Sequence, residues 1–320
     1  MVNIFSRWDA EWYLDIAKNG YRYQSDRGRN SSTAFYPMYP SLIAATAFLT
    51  GASSDAGILA AGLLISNLAL LVGLVFLTKL VRMDFDEETA ARSALYFLVF
   101  PSTFFFSAVY TESLFFAAVV IAFYAARRQL WWVAGISGAA ATLTRPPGVL
   151  MFVALGFEYL YQRKFKLKEI RADAAALLLV PLALVAHFGY MQWRFGSFWI
   201  FLHTEKEWGR DLVGTPGRWA SFAHFSGGDL LIGVLALGLI LVGWKRLRPS
   251  YGIFATLAFL MPMASGTLLG MGRFCAILFP IYIVLALIGK NPALDRNWLI
   301  LSSSMAVLFM AMFSLWRYVG

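Results

Sequence analysis

Cysteine occurs once, at Cys275, which excludes an internal disulfide and any cysteine-based metal cluster. It sits in an apolar run and reads as an inert, buried thiol. Charge is scarce as well: Asp, Glu, Lys and Arg make up 14% of the chain, against roughly 25% in an ordinary soluble domain. There are three histidines. His203 and His224 share a loop at a separation that is no metal signature, and His187, in an apolar helix, reads as a hydrogen-bonded core residue. No glycine-rich phosphate loop and no nucleotide-binding pattern occurs, and Gly51, Gly57 and Gly62 read as turn or helix-packing glycines. That argues against a nucleotide-sugar enzyme of the cytoplasm. Internal repeats and low-complexity stretches are missing too.

What is there is hydrocarbon. Hydrophobic residues form 59% of the 320, with a mean hydropathy of +0.64, the signature of a polytopic membrane protein in contact with membrane lipids. A net charge of +9 would suit nucleic acid, but the cations are scattered between apolar runs, as membrane topology requires, and no nucleic-acid partner is expected. Apolar runs predict helices near 57–78, 90–108, 112–126, 131–144, 147–161, 174–193, 229–244, 252–270, 274–289 and 297–316. Pro101, Pro181, Pro262 and Pro280 fall in or near these runs and predict kinks or breaks. The expected fold is an all-α polytopic transmembrane bundle of about ten spanning helices, forming one domain over 1–320.

The cations assign its sides. Lys79, Arg82, Arg92, Arg127, Arg128, Arg163–Arg171, Lys245–Arg248, Lys290 and Arg296 fall on one side and mark the cytoplasm. Arg145, Arg194, Lys206, Arg210, Arg218, Arg273 and Arg317 fall on the other. The apolar run 37–50, bounded by Pro37, Pro40 and Gly51, is too short for a comfortable span. If it crosses, the segment before it is cytoplasmic. If it dips in and returns as a re-entrant or interfacial segment, 1–56 is an outer loop, and this second arrangement is the one expected. A large outer loop covers 194–228.

Four tracts on the outer side are unusual for membrane helices. The head, R-W-D-A-E-W-Y-L-D, places Asp9 between Trp8 and Trp12, residues that favour the membrane–water boundary, and puts Glu11 and Asp15 on one helical face. S-A-V-Y-T-E-S (107–113) opens a helix with Glu112, which the helix dipole alone would favour. T-L-T-R-P-P-G (142–148) carries Arg145, and G-M-G-R-F (270–274) carries Arg273. Arginines at helix ends often only snorkel. Together, however, two carboxylates and two fixed cations at one face suit a phosphorylated lipid, because guanidinium holds phosphate in a bidentate fork. A carboxylate can deprotonate an acceptor hydroxyl as it attacks a sugar carbon. Asp9 and Glu112 are the candidate catalytic acids, and Arg145 and Arg273 the candidate phosphate ligands. Trp8, Glu11, Trp12 and Tyr110 are candidate substrate contacts. Trp208 and Arg210, in F-L-H-T-E-K-E-W-G-R, are either a sugar-stacking and anion-binding pair or part of a solvated interfacial loop.

The tracts R-W-D-A-E-W-Y-L-D-I-A-K-N-G-Y, A-F-Y-P-M-Y-P, F-P-S-T-F-F-F-S-A-V-Y-T-E-S-L-F, T-R-P-P-G and R-F-C-A-I-L-F-P resemble, in order from Arg7 to about Pro280, the PIG-V family. These are bacterial relatives of the second mannosyltransferase of GPI-anchor synthesis. The resemblance implies a GT-C fold and an inverting membrane mannosyltransferase with an extracytoplasmic site. It implies a polyprenyl- or dolichyl-phosphate mannose donor and a lipid or glycan acceptor. The membrane would be the plasma membrane in a bacterium or archaeon and the endoplasmic reticulum in a eukaryote. On the same resemblance Asp9 matches the acid of the first outer loop and Glu112 that of the second, and Arg145 and Arg273 match basic positions suited to lipid phosphate. The family has a transmembrane helix ahead of the R-W-D tract, so a first helix is expected to be missing here. Asp9 and Glu112 have the oxygens to share a divalent cation, but the resemblance implies a metal-free site, and neither metal nor cofactor is expected. The rival reading is a flippase or transporter of an anionic lipid-linked substrate, which would need polar groups at the bilayer midplane.

Overall fold

The computed structural model describes residues 2–23, 31–207, 227–264, 268–317 and 319. All regular structure among these residues is helical. The head forms α1 (Asp9–Asn19), a short 3-10 turn (Ser32–Ala34) and α2 (Met38–Thr50). The bundle follows as α3 (Asp55–Val81), α4 (Glu87–Leu98), α5 (Glu112–Arg127), α6 (Trp131–Thr144), α7 (Met151–Gln162), α8 (Leu179–Phe195), α9 (Ile200–Glu207), α10 (Gly227–Arg246), α11 (Pro249–Ala264), α12 (Met271–Ala276), α13 (Phe279–Ile288) and α14 (Pro292–Ser314).

Four of these helices have the length and apolarity to cross a membrane: α3, the continuous run Ala172–Phe195 that ends in α8, α10 and α14. They mark an integral membrane protein. Their apolar faces are largely uncovered, as at Leu64, Leu68 and Leu71 on α3 or Val234 and Leu241 on α10, where lipid is the natural partner. The difference from ten spans has two causes. Several predicted runs are broken, since 90–108 is α4 plus a 3-10 turn at Thr103–Ser107 and 147–161 is a 3-10 turn plus α7. The run 274–289 likewise splits into α12 and α13 around Ile277 and Leu278, just before Pro280. Second, the remaining apolar helices are short and spend their apolarity on one another.

α5 shows this best. Phe115, Phe116, Val119, Val120 and Phe123 are fully buried, so this 16-residue helix is the axis of the bundle. At 1.5 Å per residue it is about 24 Å long. The two ends of this axis differ in chemistry. At its C-terminal end Arg127 takes both oxygens of Asp84 at 2.5 and 2.7 Å and donates to Tyr251 at 2.9 Å. Arg248 pairs with buried Glu158 at 2.7 Å, and Lys290 with Asp86 at 2.7 Å. The loops that carry the first group of cations therefore meet at one end. The other end of α5 begins with Glu112.

At that second end the chain turns sharply after α6. Arg145 is extended (φ −154°, ψ 151°) and Pro146 and Pro147 launch a 3-10 turn. This turn folds directly onto α6, and it does so at Gly148: a Cβ there would lie 2.3 Å from the Ala141 carbonyl carbon and the Thr142 amide nitrogen. Both are backbone atoms that cannot step aside. Gly148→Ala is expected to destabilise the protein by about 1–3 kcal/mol and to displace Arg145. Gly156→Ala, in open space on α7, should change stability by no more than about 1 kcal/mol, in the favourable direction. Thermal unfolding of the two variants in detergent reads the contrast.

Candidate active site

The head is pinned before it reaches Asp9. Arg7 donates to the carbonyl of Phe313 at 3.1 Å and also to that of Ser314, at the C-terminus of α14. A cation there also suits the helix dipole. Its guanidinium lies 4.6 Å from the centre of the Trp316 ring. Tyr110 donates its hydroxyl to the Arg7 carbonyl at 2.7 Å, and the Val109 amide donates to the carbonyl of Phe5. Trp8 then adopts φ 58°, ψ −120°, a conformation costing on the order of 1–3 kcal/mol for a residue with a side chain. The contacts on either side hold it, and α1 starts at Asp9.

Asp9 accepts from Arg273 Nη1 at 2.8 Å. The same guanidinium turns its Nε and Nη2 to Oε1 of Glu112, at 2.9 and 2.7 Å. Arg145 Nη1 reaches that same oxygen at 2.6 Å and Thr111 Oγ1 at 3.2 Å. The Tyr13 hydroxyl lies 3.4 Å from Thr111 Oγ1. Burial pushes the Tyr13 phenol well above its ordinary pKa, and the Asp9 carboxylate adds to the shift. Arg273 also lies over the faces of Tyr110 and Phe105, at 4.7 and 4.9 Å from the ring centres. Two carboxylates and two guanidinium groups thus form one electrically balanced cluster.

A cavity of about 520 Å³ opens onto this cluster. Asp9, Arg145 and Arg273 lie on its wall with Trp8 and Tyr13, and Met261, Pro262, Leu269 and Phe274 form an apolar side. The structure therefore brings Asp9, Glu112, Arg145 and Arg273 together, with Glu112 in a different place from the other three. It is fully buried and off the cavity wall, behind the two arginines that it holds. Its second oxygen, Oε2, is buried without a hydrogen-bond partner among the described residues.

Three substrate contacts expected from sequence do not lie on the cavity wall. Glu11 is exposed and outside the cavity wall, two residues on from Asp9 and so turned toward the other face of α1. Trp12 stacks on Phe35 at 5.7 Å instead of entering the cavity. Tyr110 is fully buried and supports Arg7 and Arg273 from below. Trp208, Arg210 and His224 lie outside the described residues. His187 is buried as expected but not hydrogen-bonded: neither ring nitrogen has a partner among the described residues, and the ring sits against Tyr36 at 5.0 Å. Cys275 is fully buried. Among the described residues no group of three His, Cys, Asp or Glu side chains is placed to hold a metal. The Arg273 guanidinium lies between Asp9 and Glu112, the pair with oxygens to share a cation. Sequence reasoning missed Tyr13, Phe35, Tyr36, Phe201 and Glu205 on the cavity wall. The tracts A-F-Y-P and F-L-H-T-E were in view, but aromatics in an apolar chain read as packing.

The chain is similar to known proteins in fold and, over part of its length, in sequence. The helical architecture matches the Archaeoglobus fulgidus oligosaccharyltransferase tethered with an acceptor peptide containing the NVT sequon, with a TM-score of 0.51 at 14% identity, over 96% of this chain and 49% of that one. The apo form of the same enzyme matches at a TM-score of 0.49 and 13% identity, over 99% of this chain and 53% of that one. These are likenesses of fold. A 112-residue stretch, 33% of the chain, is 34% identical to GPI mannosyltransferase 2 of Drosophila pseudoobscura pseudoobscura and covers 24% of that relative. The class is that of the helical integral membrane proteins. Within it, the model of the mannosyltransferase (PIG-V) family matches residues 1–210, and the chain belongs to that family.

Glu112 is the neutralising centre of the cluster. Glu112→Gln leaves two adjacent buried cations without their shared counter-charge and is expected to cost about 3–5 kcal/mol. Adding Arg145→Met removes one of those cations and should recover part of the loss. Unfolding curves of the three proteins check this, and a Glu112→Gln variant as stable as the parent would show that the cluster does not hold the fold.

Proposed function

We propose that the protein transfers a mannosyl or other hexosyl residue from a polyprenyl- or dolichyl-phosphate sugar to a lipid or glycan acceptor, with inversion and with Asp9 as general base. One observation carries the reading: a carboxylate and a guanidinium in contact, Asp9 and Arg273 at 2.8 Å, on the wall of a cavity that Met261, Pro262 and Leu269 also line. The donor phosphate sits against Arg273 and Arg145, and its hydrocarbon tail lies along Met261, Pro262 and Leu269. The acceptor hydroxyl oxygen attacks the anomeric carbon opposite the phosphate. The carbon–oxygen bond to phosphate breaks, its electron pair leaves with the lipid phosphate, and the acceptor proton passes to Asp9. Negative charge grows on the departing phosphate, where the guanidinium groups meet it.

Asp9 is not idle before the donor arrives, because Arg273 already holds it. The incoming phosphate competes for that guanidinium and loosens the Asp9 carboxylate for the acceptor proton. Glu112 serves as a positioning carboxylate that keeps the two arginines side by side. The guanidinium does the charge-stabilising work, so no metal ion is assigned a role.

The membrane sidedness follows the cations. The cluster lies at the opposite end of α5 from Arg127, and the cationic end belongs in the cytoplasm. The site then faces outward, at the plasma membrane of a bacterium or archaeon or in the endoplasmic reticulum of a eukaryote. On this reading the shorter buried helices complete about ten crossings, and α2 dips into the outer leaflet. The polar groups gather at one end of the bundle axis, which supports transfer over transport, since transport needs them at the midplane.

Asp9→Asn is expected to lower transfer from radiolabelled polyprenyl-phosphate mannose by about 10²–10⁴-fold while the protein still inserts and folds. Near-parental transfer by this variant would remove Asp9 from the mechanism. Transfer should also continue in EDTA; loss of activity that added Mg²⁺ or Mn²⁺ restores would overturn the metal-free mechanism.

A further inference from the structure

At the Arg127 end of the bundle, away from the cavity, the chain makes a short basic strip that the transfer reaction leaves unused. Residues 163–171 read R-K-F-K-L-K-E-I-R, with five cations, one acid and three apolar side chains. Where the strip ends, the spanning run Ala172–Phe195 begins. It therefore stands at the level where hydrocarbon gives way to headgroups.

The strip is a built turn. Lys164 and Phe165 both take left-handed backbone, φ 51° and 58°, which residues with side chains seldom adopt. The Phe165 amide donates to the Leu160 carbonyl at 2.9 Å, and Arg163 Nε donates to the Glu169 carbonyl at 3.0 Å, closing the strip on itself. Leu167–Glu169 forms a 3-10 turn, and the Ile170 amide donates to the Leu167 carbonyl at 3.2 Å. Side chains three apart eclipse in such a turn, so Leu167 and Ile170 fall on one side.

This turn holds its apolar side chains outward: Phe165, Leu167 and Ile170 are 52%, 71% and 46% exposed. The nearby acids are already engaged, Glu169 with Lys166 at 3.2 Å and Asp173 with Arg163 at 3.7 Å. Lys164, Lys168 and Arg171 are exposed and have no acidic partner among the described residues. Arg248 pairs with Glu158 and lies 5.1 Å from the centre of the Tyr161 ring. That contact brings up a second turn carrying exposed Lys245 and Arg246, at the end of the spanning helix α10. A zwitterionic headgroup would leave these cations uncompensated, and a soluble acidic chain would leave the apolar side chains in water. An anionic phospholipid meets both, with charge above and acyl chain below.

We propose that the 163–171 strip and the α10–α11 turn bind anionic phospholipid, the free cations on its headgroup and Phe165, Leu167 and Ile170 inserted beneath. The proposal stands apart from the transferase reading and is tested without turnover. Native mass spectrometry of the full chain compares phosphatidylglycerol with phosphatidylcholine of the same acyl chains. Phosphatidylglycerol is expected to bind more tightly. Because each cation near the surface is worth about fivefold, Lys168→Gln/Arg171→Gln should weaken phosphatidylglycerol about 25-fold and leave phosphatidylcholine within about twofold. Arg194→Gln/Lys206→Gln, exposed cations of the opposite end, should leave both lipids unchanged. Insertion is read separately. The one native cysteine, Cys275, is fully buried, so Leu167→Cys supplies a single reactive thiol for a nitroxide. In nanodiscs containing phosphatidylglycerol that label should collide more with oxygen than with a water-soluble nickel complex. Unchanged phosphatidylglycerol binding by Lys168→Gln/Arg171→Gln, an equal fall in the Arg194→Gln/Lys206→Gln control, or a label reached mainly by nickel overturns the proposal. A parent protein that holds soluble poly-L-glutamate but shows no preference for phosphatidylglycerol also overturns it, in favour of an acidic protein partner.

Discussion

The guanidinium of Arg273 is the contact on which the site depends. It joins Asp9, 264 residues away in sequence, to Glu112 at the head of the central helix, 161 residues away. Two features make one side chain able to do this. Guanidinium presents a rigid fork of donors, and it stays charged in surroundings where an amine would lose its proton. Lysine could not take both carboxylates at these distances in one plane. The pairing also explains how a buried acid is tolerated, since two cations converge on one Glu112 oxygen.

Around this contact the fold supplies rigidity from elements that do nothing chemical. α5 is covered on nearly every side and so fixes where Glu112 stands. The P-P-G turn presses backbone against backbone and fixes Arg145. The Arg7 clasp and the Tyr110 hydroxyl hold the strained Trp8 linkage that fixes Asp9. Each charged group is thus set by a different device, and a balanced cluster results because all of those devices terminate at the same end of the bundle.

Much of this was legible in the sequence. Asp9, Glu112, Arg145 and Arg273 stand out because fixed charges at the ends of apolar runs are conspicuous, and the alternation of cations foretold which loops would meet. The helices themselves were legible as apolar runs, and Pro280 marked the break that falls just before it at Ile277 and Leu278. What stayed hidden was direction. Charge alone does not say that Glu112 lies behind the arginines while Asp9 lies in front of them. Nor do Tyr36 and Phe201 declare themselves as cavity wall in a chain where 17% of residues are aromatic, since an aromatic against lipid and an aromatic against a ligand read alike. Glu205 was overshadowed by Trp208 and Arg210, and His187 gave no sign that it would be enclosed by rings with no hydrogen-bond partner among the described residues.

The clasp between Arg7 and α14 has a mechanical consequence. α14 is the least enclosed of the four long helices, with 11% of its apolar window buried, so its inclination answers chiefly to the surrounding lipid. A thicker or thinner bilayer changes that inclination. Through Arg7, two positions before Asp9, the end of α14 and the start of α1 are mechanically joined, so a displacement of one is felt by the other.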